Sequence, residues 1–140
     1  MKKIILFFII FTFQFSNLSS NEPKLEKIIS GLKGPWSLTF INETRVLVTE
    51  KTGNIFLANI NKKKLNKIDH NLNILVDGQG GVLEVLYSNE YVFVSYSENR
   101  GGGRSSTSVA KAKFNEKELK FKNIFRAEPP INSGYHFGSR

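Results

Sequence analysis

The chain has 140 residues, a formal charge of +8, two histidines and no cysteine. That length suits one modest domain, and the missing thiols exclude disulfides, a thiolate metal site and lipid attachment through cysteine. The positive balance would suit a nucleic-acid binder. Its lysines, however, are scattered (Lys62-Lys63-Lys64, Lys111, Lys113, Lys117, Lys120, Lys122) and form no basic helix or aromatic-spaced strip. We read them as solvated surface and expect no nucleic-acid partner.

Residues 1–20 read as a secretory signal peptide. Lys2 and Lys3 supply the positive start, the next stretch to Phe13 is apolar apart from Thr12, and Ser16-Asn17-Leu18-Ser19-Ser20 offers small residues for cleavage. The apolar run is about ten residues, short of the ~20 that span a bilayer. The expectation is a secreted protein, placed in a bacterial periplasm, with no membrane span after signal cleavage. Setting Lys2 and Lys3 aside leaves +6 for the remaining domain, residues 21–140.

Residues 21–33 are polar and mixed, and Gly34-Pro35 ends them. From Trp36 the period becomes that of strands. Trp36-Ser37-Leu38-Thr39-Phe40 alternates large apolar with small polar residues. A turn at Asn42-Glu43-Thr44 leads into Arg45-Val46-Leu47-Val48-Thr49-Glu50, and Lys51-Thr52-Gly53-Asn54 turns into Ile55-Phe56-Leu57-Ala58-Asn59-Ile60. Three short β runs with tight polar turns predict an antiparallel meander. Residues 61–73 form a charged connection with an irregular outer strand around 65–68, and His70 within it reads as a surface loop residue.

The pattern then returns. Shifted by 46 residues, Trp36 falls on Val82, Phe40 on Leu86, and Val46-Leu47-Val48 on Val92-Phe93-Val94, without a gap. Such spacing between four-stranded units is what β-propeller blades show. Residues 107–114 and 120–125 complete the second unit, and Glu128-Pro129-Pro130 closes it because proline cannot continue a ladder. The glycine loop 98–106 lacks the Gly-Lys-Ser/Thr ending of a phosphate loop and reads as a blade-edge turn. The fold class is therefore all-β: a partial propeller of about two four-stranded antiparallel blades and the start of a third. Two blades cannot close a ring, so the chain reads as the front of a longer protein.

Two glycine-flanked polar residues stand where chemistry would sit. Gln79 lies in Asp77-Gly78-Gln79-Gly80-Gly81, before the second unit, and His136 lies in Gly134-Tyr135-His136-Phe137-Gly138, before the expected third. The repeat places both on loops that lead into innermost strands, which gather at the mouth of a propeller channel. Histidine suits proton transfer, its unperturbed pKa being about 6.5, and glutamine offers both a donor and an acceptor. No His, Asp or Glu cluster has metal-ligand spacing, and Gly138-Ser139-Arg140 lacks the elbow of serine hydrolases.

Gly34-Pro35-Trp36-Ser37-Leu38, then residues 45–50, then Gly78-Gln79-Gly80-Gly81-Val82-Leu83-Glu84-Val85, and finally Gly134-Tyr135-His136-Phe137-Gly138-Ser139-Arg140 follow one another in order. The succession, from about Leu32 to Arg140, resembles the N-terminal part of the soluble pyrroloquinoline-quinone-dependent glucose/sorbosone (aldose sugar) dehydrogenases. The resemblance implies a six-bladed propeller carrying the quinone over its channel, with Ca2+ nearby. It implies oxidation of an aldose sugar at C1 to the lactone, with an external electron acceptor. His136 matches the family's general base and Gln79 a cofactor contact. Tyr135 departs from the Asn or Asp that family members often carry there. The calcium ligands and the remaining cofactor contacts are expected beyond residue 140, and the 140-residue chain alone is expected to be inactive. The rival reading is a non-enzymatic exported propeller that serves as a binding module.

Overall fold

A computed structural model describes residues 22–138. The signal-peptide reading falls outside the described residues, as do Ser139 and Arg140. Among the described residues there is no helix, and so none long and apolar enough to cross a membrane.

Nine strands follow one another: β1 (Pro35–Asn42), β2 (Arg45–Glu50), β3 (Ile55–Asn59), β4 (Lys64–His70), β5 (Val82–Ser88), β6 (Tyr91–Asn99), β7 (Ser105–Lys113), β8 (Glu118–Leu119) and β9 (Lys122–Arg126). They form two meander sheets, β1-β2-β3-β4 with β8 added at its outer edge, and β5-β6-β7-β9. These are two propeller blades. The 46-residue repeat is real at the hairpin tips, where Asn42 faces Arg45 and Ser88 faces Tyr91. Only the first hairpin carries an additional register shift, between Phe40 and Asn42. A bulge there turns the strand and increases its local twist. The Asn-Glu-Thr sequence at this tip is turn chemistry: Asn42 Oδ1 accepts from the Thr44 and Arg45 N–H groups, each at 3.0 Å.

Side-chain alternation explains how the blades stack. On β1 the small polar residues face β5, where Ser37 Oγ accepts from the Val85 N–H and Thr39 Oγ1 from the Tyr87 N–H, each at 3.2 Å. Hydroxyls thus satisfy donors on the innermost edge of the second sheet, where no further strand among the described residues pairs them. Behind these contacts, Leu47, Ile55, Leu57 and Ile68 pack against Val82, Val85, Val92, Val94, Tyr96 and Ala110 in one core between the blades. The opposite face of the first blade buries Val46, Val48 and Ala58 under Ile29, Leu32 and Ile60. With both faces of β2 covered, Val46 through Glu50 are all buried, and the strict alternation of a half-exposed strand disappears.

The outer ends are tied differently from the expectation. The second blade lends the two-residue β8 to the first, in parallel with β4, pairing Asp69 with Glu118 and His70 with Leu119. Leu119 is thereby fully buried in the inter-blade core. Asn71 clamps the same crossing: its amide donates to the Phe121 carbonyl at 3.1 Å and its oxygen accepts from the Phe121 N–H at 2.8 Å.

His70 accordingly is no surface loop residue. It ends β4, half-buried. The Leu72 N–H donates to Nδ1 at 3.2 Å, so the proton sits on Nε2, which donates to the Gly53 carbonyl at 2.6 Å. The ring also meets Phe121 edge to face.

Candidate active site

The loop that carries Gln79 is fixed by close backbone approach. The Gly80 N–H donates to the Asp77 carbonyl at 2.6 Å to close the turn. A Cβ at Gly78 would collide with the Gly134 carbonyl, and one at Gly81 with the carbonyl of Lys51. Both glycines also have positive φ, +51° and +150°, so a side chain is refused by space and by conformation alike. Lys51 secures the loop twice, its carbonyl accepting from the Val82 N–H at 3.0 Å and its Nζ donating to the Gly78 carbonyl. From below, buried Ser97 accepts from the Gly81 N–H at 2.7 Å and donates to the Leu75 carbonyl.

The loop that carries His136 is anchored to the second blade. Ile131 exchanges two 2.9 Å backbone hydrogen bonds with Ser105 at the start of β7. Phe137 is buried with its ring beside Gly80, and its carbonyl accepts from Thr107 Oγ1. Between these anchors residues 132–138 form no strand.

The two loops meet. The Gln79 N–H donates to the Gly134 carbonyl at 2.6 Å, and the His136 N–H donates to Gln79 Oε1 at 3.1 Å, joining residues 57 apart in sequence. The two residues singled out from the sequence thus share one place in the fold. His136 itself has φ +61°, a left-handed conformation uncommon for a residue with a side chain. Its ring is exposed, and no hydrogen-bond partner for the ring nitrogens lies among the described residues.

Beside the ring is a cleft of about 240 Å³ lined by Trp36, Gln79, Leu83, His136, Phe137 and Gly138. Trp36 is half exposed, with Lys51 Nζ 5.8 Å from its ring centroid. The cleft therefore combines an aromatic wall, an amide and an imidazole, a set suited to a polar ligand with an apolar face. Sequence reasoning missed Trp36, Lys51 and Phe137, because their roles depend on contacts between distant segments. A larger concavity of about 630 Å³ around Lys67, Asp69 and His70 shares no residue with this cleft, and its histidine is already hydrogen-bonded on both nitrogens.

Two buried carboxylates brace the scaffold. Burial pushes the Glu98 carboxyl up, but hydrogen bonds from Ser108 and Arg126, with the charges of Arg126 and Arg100, outweigh it and hold the group below its ordinary value. The Arg126 guanidinium grips both oxygens at 2.9 Å, and Asn123 and Ser108 complete the shell. Burial likewise raises the Glu50 carboxyl, but the Lys33 N–H and the Asn54 amide outweigh it, so its net shift is also downward. Both are saturated and structural. Among the described residues no group of three or more His, Asp or Glu side chains is placed to hold a metal ion.

Comparison with known proteins completes the picture. The family profile described as Glucose / Sorbosone dehydrogenase matches residues 32–140. The chain belongs to this family. It is 26% identical over 125 residues to the aldose sugar dehydrogenase YliI of Escherichia coli K12, covering 83% of this chain and 34% of that protein. A solved glucose dehydrogenase superposes with a TM-score of 0.78 at 33% identity, over 84% of this chain and 40% of its own. The PQQ-bound aldose sugar dehydrogenase of Streptomyces coelicolor superposes with a TM-score of 0.65 at 17% identity, over 75% and 34%, a likeness of fold. The chain thus spans about a third of the curated relative and two-fifths or less of these structures.

Proposed function

We propose that, at its relatives' full length, this protein is an exported quinoprotein that oxidises aldose sugars at C1 to the lactone. One observation carries the reading: a histidine whose ring nitrogens have no hydrogen-bond partner among the described residues, and the glutamine that holds its backbone N–H across two loops, line one cleft in a glucose/sorbosone dehydrogenase domain. The residues present fit part of a quinone site. Gln79 has amide hydrogens to spare, and the Trp36 ring offers an apolar wall to a flat ligand or the C–H face of a sugar.

His136 acts as general base, its free ring nitrogen taking the proton from the C1 hydroxyl. Gln79 holds the cofactor side of the cleft. Leu83 and Phe137 line its floor and limit water. Pyrroloquinoline quinone, when bound, supplies the acceptor for the hydride that leaves C1. Calcium ligands and further cofactor contacts belong to segments beyond residue 140.

The same reading makes the 140-residue chain inactive alone. Leu38 and Phe40 on the first blade and Ile124 and Phe125 on the second are more than half exposed, apolar surface that neighbouring blades would cover. Export rests on the layout of residues 1–20. The test is dye-linked oxidation of glucose and other aldoses by the full-length protein, with and without added quinone and calcium. Turnover that requires the quinone supports the assignment. Ligand binding without turnover would instead make it a propeller that kept its blades and lost its chemistry.

A further inference from the structure

Gln79 occupies a position where one side chain serves two neighbours. Its Oε1 accepts from the His136 N–H at 3.1 Å. A backbone N–H only donates, so the carboxamide has one possible orientation here: oxygen toward His136, nitrogen away from it. That nitrogen has no protein partner among the described residues, and Gln79 lines the cleft. Meanwhile the Gln79 N–H holds the Gly134 carbonyl at 2.6 Å, and glycine at 78 and 134 lets the two backbones touch. His136, between these contacts, keeps its left-handed φ of +61°. Such a conformation is unfavourable in a residue with a side chain and persists only when its surroundings impose it.

We propose that Gln79 is a positioning residue for His136: its carbonyl oxygen locks the His136 backbone, and its amide nitrogen is left as a donor that selects a hydrogen-bond acceptor oxygen on the cleft's ligand. The second half rests on the dehydrogenase reading above, since a quinone carbonyl or carboxylate is such an acceptor; the first half does not. Lys51 supports the arrangement by bonding the Gly78 carbonyl, which keeps the loop against Gly134.

Two near-isosteric substitutions in the full-length protein separate the tasks. Gln79→Glu keeps an oxygen for the His136 N–H but replaces the donor nitrogen with a second acceptor. Gln79→Met keeps the length and removes both. The first readout uses protein without cofactor: backbone hydrogen exchange at His136. Wild type and Gln79→Glu should exchange alike, and Gln79→Met about fivefold faster, the protection expected from one exposed hydrogen bond. Exchange in Gln79→Met at the wild-type rate overturns the positioning role.

The second readout is quinone affinity. Gln79→Glu should bind about tenfold or more weakly, and more weakly than Gln79→Met, because acceptor would face acceptor. Equal affinity of wild type and Gln79→Glu overturns the donor assignment. The third is kcat at saturating quinone, expected to fall about 10- to 100-fold in Gln79→Met, as for a displaced catalytic group, and to be largely restored in Gln79→Glu. Equal kcat in the two variants overturns the proposal, because mere weakening of cofactor contact would affect both. Failure of the dehydrogenase reading appears separately, as absence of turnover in wild type with the exchange pattern intact.

Discussion

At the end of β4 the His70 ring donates to one backbone carbonyl, accepts from one backbone N–H and lies against Phe121. At the mouth of the cleft the His136 ring is exposed, while its backbone N–H is the part held fast, by Gln79. The fold spends one histidine as a strut and leaves the other free. Residue type alone does not separate them. What separates them is which atoms are already bonded. A ring with both nitrogens engaged has no lone pair for a substrate proton, whereas one fixed through its backbone is both positioned and available.

Paired substitutions in the full-length protein sharpen that contrast. The largest effect should come from His136→Ala, which is expected to cut quinone-dependent turnover by about 10²- to 10⁴-fold, the range for loss of a general base, with quinone affinity and thermal midpoint little changed. An unchanged rate would remove His136 as the base. His70→Ala should do the reverse. Losing two hydrogen bonds and an aromatic contact should cost about 2 kcal/mol of stability by denaturant titration, with turnover per folded molecule retained. A loss of turnover without loss of stability would erase the distinction between the two rings.

A smaller, pH-dependent effect belongs to the scaffold. Glu98 and Glu50 are both held below the ordinary carboxylate value of 4.5. Their contribution to stability is therefore complete above about pH 4.5 and is lost as the pH falls through their lowered folded values. Thermal midpoints should fall along an acid limb below pH 4.5, and Glu98→Gln should make that limb shallower. An unchanged limb would mean that the Arg126 grip on Glu98 adds nothing to the fold.

Much of this architecture was legible in the chain. Alternation in Trp36-Ser37-Leu38-Thr39-Phe40 marked β1, and the 46-residue recurrence set the second hairpin on the first, because a half-buried strand must alternate and a repeated blade must reuse its pattern. The same recurrence brought Gln79 and His136 to one end of the fold. Other features had no local signature. The pairing of Glu118 and Leu119 with β4 involves two residues, too few for any period to show. His70 was misread because its partners, Gly53 and Phe121, lie 17 and 51 positions away. The Gln79 clasp was hidden for the same reason: both residues were visible, but the bond between a side-chain oxygen and a backbone N–H 57 positions distant is a product of the folded loops.

In the proposed enzyme the cleft between the two loops is where cofactor and sugar meet. A crystal structure of the full-length protein with quinone bound tests it most directly. The quinone should lie over this cleft, with an acceptor oxygen within hydrogen-bonding distance of the Gln79 amide nitrogen and the His136 ring facing the space left for C1 of the sugar. A quinone seated elsewhere, with neither residue within reach, would contradict it.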